Sequence, residues 1–153
     1  MKLKGFALAG AALLLSVAGP ALAALGGSVD SVQSDRAQMK GALRVTGNAT
    51  DATVSIHEIS TAYGTRVREY SGADGRVFAV AWNGPVNPDF EQLLGSYYAQ
   101  YLKVAAATHG GHRHFSVAQP DLVMQNDGRQ RAFAGRAWVP ALVPQGFATT
   151  DIR

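Results

Sequence analysis

Residues 67–85, VREYSGADGRVFAVAWNGP, are the stretch that decides the fold. Runs rich in β-branched and aromatic residues at 65–70 and 76–82 flank a loop at 71–75 that contains two glycines and an aspartate. This pattern predicts an antiparallel hairpin. A further strand-like run at 54–61 precedes it, separated by the turn-forming pair Tyr63-Gly64. The sequence therefore predicts a three-stranded meander.

The register expected for this hairpin places arginines beside aromatic rings. A five-residue loop pairs Tyr70 with Arg76 and therefore Arg68 with Phe78. One face then carries Arg66, Arg68, Tyr70, Phe78, Val80 and Trp82, and the opposite face carries Val67, Glu69, Val77, Ala79 and Ala81. The first face is interpreted either as a binding surface formed by Arg66, Arg68, Tyr70, Phe78 and Trp82, or as a sheet face on which arginine stems cover the rings.

A helix and a second hairpin follow the meander. Asn87 suits an N-cap and Pro88 the first helical position. Apolar residues then recur at steps of three and four, which predicts one amphipathic helix over 88–106: Phe90, Leu93, Leu94, Tyr97, Tyr98 and Tyr101. The pair Asp127-Gly128 predicts a hairpin turn between 121–125 and 129–139. The fold class is thus α+β: an antiparallel sheet of about five strands with one long amphipathic helix packed on it.

The first residues have the pattern of a secretory signal peptide. Lys2 and Lys4 precede an uncharged apolar run at 6–18, and the small residues at 21–23 predict cleavage between Ala23 and Ala24. The chain has no cysteine, so no lipid is expected on a cysteine at that junction. We expect a leader at 1–23, a loosely ordered arm at 24–53 with a short helix near 34–42, a globular domain at 54–144 and a tail at 145–153.

Charge and composition exclude several classes of function. Once Lys2 and Lys4 leave with the leader, 12 basic residues remain against 11 acidic ones, a net charge of +1. Nucleic-acid binding, which needs a basic stripe, is not expected. The apolar run at 6–18 is shorter than the ~20 residues of a spanning helix, so no membrane span is expected after cleavage. Without cysteine, thiol catalysis and thiolate metal sites are excluded.

No catalytic motif occurs in the sequence. A nucleophile elbow, a phosphate-binding loop and a paired-histidine helix are all missing, and the 11 carboxylates are scattered. A non-enzymatic role is therefore favoured, with no cofactor, over a hydrolase assembled from dispersed residues. The alternative chemical feature is the cluster His109, His112 and His114, which could hold a divalent transition metal such as Zn²⁺.

Four segments carry a resemblance to a known family: ALGG (24–27), the opening stretch at 67–85, PDFEQLLGSYY (88–98) and RAFAGRAWVPALVP (131–144). Their order and length resemble the domain of unknown function 2844 family, small exported bacterial proteins. The resemblance implies a periplasmic or secreted protein and brings no activity, ligand or catalytic residue with it. The leading hypothesis is a binding or interaction module of the cell envelope whose partner is an envelope protein or glycan. The alternative is a metal-handling protein that uses the three histidines.

Overall fold

The computed structural model describes residues 25–29, 42–47, 53–107 and 114–153. Seven strands of this part of the chain form one antiparallel sheet in the order β1-β2-β3-β4-β7-β6-β5. The strands are β1 Ala42–Gly47, β2 Ser55–Ser60, β3 Arg66–Ser71, β4 Val77–Gly84, β5 His114–Ala118, β6 Val123–Arg129 and β7 Ala132–Trp138. The α+β class and the antiparallel sheet are confirmed, whereas the expected count of about five strands was too low.

The helix lies close to the span that the sequence predicts. It consists of α1 (Phe90–Leu94), a 3-10 turn at Gly95–Tyr97 and α2 (Tyr98–Ala107). Its N-cap is Asp89 rather than Asn87, because the Asp89 carboxylate accepts hydrogen bonds from the main-chain N–H groups of Glu91 and Gln92. No helix in the described residues is long and apolar enough to cross a membrane.

One face of the sheet, here called the helix face, packs against α1 and α2. Leu93 and Leu94 are fully buried there with Val67, Val80 and Met124. A chain of edge-to-face ring contacts extends from the sheet through the helix and back to the sheet: Trp82 to Phe90 (5.2 Å between ring centroids), Phe90 to Tyr101 (5.6 Å) and Tyr101 to Phe115 (5.3 Å). The aromatic stripe of the helix is therefore core.

The register of the β3–β4 hairpin differs from the predicted one. Tyr70 pairs with Ala79 and Arg68 with Ala81, and a bulge follows Tyr70. Relative to the expected pairing, β4 is displaced by three residues, and an odd displacement moves every side chain of a strand to the other face. Trp82 and Val80 therefore lie on the helix face, and Ala79 and Ala81 lie beside the arginines. The bulge keeps Phe78 on the arginine side as well.

The turn of the second hairpin also differs from the prediction. It lies at Gln130-Arg131 rather than Asp127-Gly128, because Arg129 pairs with Ala132. A turn at Asp127-Gly128 would leave most of β7 unpaired on the side of β6, whereas the observed turn gives β6 and β7 seven residue pairs. Arg131 accordingly adopts a left-handed conformation with φ of 59°.

Segments outside the predicted globular domain contribute to the sheet and its core. Ala42–Gly47 forms edge strand β1, and the main-chain N–H of Leu25 donates to the carbonyl of Leu93. The short helix expected near 34–42 lies outside the described residues except for Ala42, which begins β1. Residues 139–153 contain two 3-10 turns and cover part of the other sheet face with Phe147 and Ile152. The domain division itself stays a prediction.

Candidate binding hollow on the arginine face

The sheet face opposite the helix is here called the arginine face. A row of side chains, all polar except Ala81, crosses six strands of this face. The row consists of residues paired in register from β2 to β5: Glu58, Arg68, Ala81, Arg136, Gln125 and Ser116. On one side of this row lies the apolar part that residues 139–153 cover. On the other side lie the exposed residues Ser60, Arg66 and Asn83. The row thus separates a packed half of the face from an open half.

Arg68 is held at the centre of this boundary. Its Nε donates to the Oε2 atom of Glu58 at 2.8 Å, and its Nη1 donates to the main-chain oxygen of Arg153 at 2.7 Å. The hydrogen bond to Glu58 raises the pKa of Arg68 above its ordinary value, against an opposing effect of burial. The guanidinium therefore keeps its charge and has a defined orientation.

Two further side chains fix residues 149–153 beside Arg68. The Tyr70 hydroxyl donates to the main-chain oxygen of Arg153 (2.8 Å) and accepts from its N–H (3.0 Å). Arg136 donates through Nη1 to the carbonyl oxygens of Thr149 (3.0 Å) and Ile152 (3.4 Å). Residues 149–153 do not pair with a strand, so their main-chain oxygens need other hydrogen-bond donors, and Tyr70 and Arg136 supply them. These bonds hold Arg153 against the sheet.

Arg66, Arg68 and Arg153 converge around a hollow of about 270 Å³. We call it the arginine hollow. Ala81, Trp82 and Asn83 also line it, and the small side chain of Ala81 leaves the depression between the longer arginines. No acidic side chain lines it, and among the described residues neither Arg66 nor Arg153 forms an ion pair through its guanidinium. Positive charge is thus concentrated around a small concave space.

The residues predicted to form a binding surface are only partly brought together. Arg66 and Arg68 line the arginine hollow, and Tyr70 lies beneath residue 153. Phe78 is buried against Phe147, with ring centroids 5.1 Å apart. Trp82 is 3% exposed and its ring lies on the helix face, where its Nε1 donates a hydrogen bond of 3.2 Å to the Oδ1 atom of Asn126. The rings of Phe78 and Trp82 are therefore parts of two separate cores, and binding by the predicted set stays a prediction.

Three residues that line the arginine hollow were missed by sequence reasoning, and Arg153 is the first of them. It lies 85 residues from Arg68 in the chain, and no periodicity near it indicates a site. Asn83 and Ala81 were missed for a different reason, because the predicted register placed neither of them beside the arginines. The alternation of Arg66 and Arg68 was the one local signal that indicated this surface.

The structure describes one of the three histidines of the predicted metal site. His109 and His112 lie outside the described residues. His114 is exposed on β5, with its Nδ1 atom 2.7 Å from the Oδ1 atom of Asp127. The described residues contain no group of three or more His, Cys, Asp or Glu side chains placed to hold a metal ion. The three-histidine metal site stays a prediction.

Residues 21–152 match the family model described as Protein of unknown function (DUF2844). The match covers most of the 153-residue chain, so the chain belongs to this family, as the four segments indicated. No curated protein matches the chain. No solved structure matches it either.

Proposed function

We propose that this member of the DUF2844 family is a non-enzymatic binding module whose arginine hollow takes an anionic group of its ligand. The observation that carries the proposal is the convergence of Arg66, Arg68 and Arg153 on the small Ala81 floor, with no acidic side chain in the lining. Guanidinium groups bind carboxylates, phosphates and sulfates through paired, charge-assisted hydrogen bonds. A ligand that carries such a group supplies negative charge to Arg66 and Arg153, whose guanidinium groups form no ion pair among the described residues, whereas Arg68 is already paired with Glu58.

The lining supports binding rather than catalysis. Its lining residues are three arginines, an asparagine, an alanine and Trp82, and none of them offers a nucleophile or a general base near neutral pH. Arg68 is oriented before any ligand arrives, because Glu58 and the main-chain oxygen of Arg153 hold it. A pre-oriented group loses less side-chain entropy when it binds, which favours affinity.

The proposal places this module in the cell envelope, where its ligand would be an anionic protein or glycan. The support is the leader pattern at residues 1–23. Mass spectrometry of the protein from its native host is expected to find a chain that begins at Ala24 and carries no lipid. A full-length chain retained in membranes would contradict export and would leave anion binding to be judged separately.

Inorganic phosphate, titrated at constant ionic strength with chloride as the reference anion, tests the arginine hollow. Amide NMR signals of Ala81 and Asn83 are expected to shift saturably, with a Kd of about 1–10 mM for one small anion on a partly exposed site. Arg66→Gln is expected to weaken phosphate binding about five- to tenfold.

Lys103→Gln is the matched control, because it removes one positive charge from the exposed side of α2. It is expected to leave the phosphate Kd unchanged. Equal weakening by both variants would mean that net charge alone attracts phosphate, and an absence of saturable shifts at Ala81 and Asn83 would refute the site.

A further inference from the structure

A second hollow lies next to the arginine hollow, at the end of the sheet. The second hollow has a volume of about 350 Å³ and lies between the β2–β3 turn, the end of β4 and the β6–β7 turn. Asn83 lines both hollows. The two hollows therefore adjoin at Asn83, and together they are here called the groove.

The second hollow combines apolar surface with one cation. Pro85 and Phe133, both half-buried, and the methyl groups of Ala132 and Ala134 contribute the apolar part. Arg131 contributes the charge, and no acidic side chain lines the hollow. Two large apolar side chains next to lining residues in the sequence are exposed, Tyr63 by 78% and Val86 by 48%. This end of the sheet can thus remove a ligand's apolar side chain from water.

The length of the groove follows from strand geometry. Arg66 lies opposite Asn83, and Asn83 lies opposite Ala134, so β3 and β7 are two strand spacings apart, about 10 Å. Arg131 precedes Ala134 by three residues, which adds about 10 Å along the direction of β7. The two ends of the groove are therefore about 14 Å apart, the span of about four residues of extended peptide.

We propose that the groove binds an extended acidic peptide segment, with a carboxylate in the arginine hollow and an apolar side chain about four residues away in the second hollow. The inference rests on the proposed function, since it assigns the same anion site to one class of ligand. Charge complementarity carries its anionic end, because three arginines line the arginine hollow and neither hollow has an acidic lining residue.

The chemistry of the second hollow favours a peptide over an acidic polysaccharide. Sugar hydroxyls act as donors and acceptors, and arginine offers donors only. Asn83 is the one side-chain acceptor among the described residues that line the second hollow. Proline, phenylalanine and alanine surfaces instead match an aliphatic side chain such as leucine.

The test uses an acetylated and amidated twelve-residue Gly/Ser peptide that carries two adjacent glutamates and a leucine about four residues away. It is synthesised in both orders, with the leucine before or after the glutamates. Binding to the full chain is measured by fluorescence anisotropy at fixed ionic strength. The better order is expected to bind about tenfold more tightly than the same peptide with serine in place of leucine, and replacing the glutamates by glutamine is expected to abolish binding.

Arg131→Gly is the informative variant, because glycine accepts the left-handed φ of 59° and the turn should keep its shape. It is expected to weaken the leucine peptide about threefold or more and to leave phosphate binding in the arginine hollow unchanged. Arg129→Gln, which removes an exposed charge two residues away and outside both hollows, is the matched control and is expected to change neither.

The outcomes separate this inference from the proposed function. Phosphate binding that depends on Arg66, with no effect of leucine or of Arg131→Gly, overturns the peptide inference and leaves anion binding intact. Tighter binding of an oligogalacturonate than of either peptide overturns it in favour of a glycan. An absence of phosphate binding refutes the arginine hollow itself, whatever the peptides do.

Discussion

Replacing Trp82 by alanine tests whether this ring belongs to the core or to a binding surface. The ring is 3% exposed, makes an edge-to-face contact with Phe90 and donates a hydrogen bond to Asn126. Removing a buried tryptophan side chain costs about 3–5 kcal/mol, since apolar contact is lost and a cavity remains. Trp82→Phe keeps most of the ring and loses the buried hydrogen bond, so a cost of about 1–2 kcal/mol is expected.

Urea denaturation followed by far-UV circular dichroism measures these costs, with the wild-type m-value as a check on two-state unfolding. Tyr63→Ala is the control, because it removes a ring that is 78% exposed and is expected to change the free energy of unfolding by less than about 0.5 kcal/mol. If Trp82→Ala proves no more destabilising than Tyr63→Ala, the ring is not buried and the register of β4 given above is incorrect.

Four further predictions concern other parts of the chain. Gly135→Ala is expected to cost about 2 kcal/mol or more in urea denaturation, because the new methyl group would overlap the Trp82 ring and lie 2.6 Å from the Gln125 carbonyl; a neutral effect would contradict this packing. Ile152→Ala is expected to cost about 2–4 kcal/mol, since this side chain is 1% exposed; a loss below about 0.5 kcal/mol would mean that residues 139–153 do not pack on the sheet. Burial lowers the pKa of His57, so the unfolded state binds the proton more readily than the folded state. His57 should therefore not reduce the free energy of unfolding above pH ~6.5, and below that pH it should reduce this free energy by at most about 1.4 kcal/mol per pH unit. An unchanged slope in His57→Gln would assign the loss to other groups. The histidine hypothesis expects one Zn²⁺ per chain with a higher melting temperature that His112→Ala abolishes, and calorimetry without saturable heat would end it.

The α+β class and the helix could be predicted because both depend on local patterns. Apolar side chains at steps of three and four must lie on one side of a helix, whatever the helix packs against. The loop at 71–75 likewise marks a hairpin, since its glycines and Asp74 suit a turn; in the structure Gly75 has φ of 72° and Asp74 accepts from the N–H of Arg76. These features involve residues that are neighbours in the chain.

The edge strand β1 could not be predicted from the same kind of pattern. Ala42–Gly47 is short, and it becomes a strand by pairing with β2, which supplies its hydrogen-bond partners. The surrounding sequence at 24–53 is rich in glycine, serine and alanine, which weakens the local signal. The strand count was therefore too low.

The sequence alone determined that Arg66 and Arg68 share one face of a strand, because side chains alternate along any strand. Tertiary structure decided what lies beside them. Strand register depends on total burial across the sheet, and a displacement of three residues in β4 placed Ala81 instead of Phe78 opposite Arg68 and moved Trp82 to the helix face. Arg153 reaches the same place only because Ile152 is buried and Tyr70 binds the following residue, contacts between segments more than 80 residues apart. A pocket formed by side chains so distant in the chain leaves no periodicity in the sequence, since only the folded chain brings its parts together.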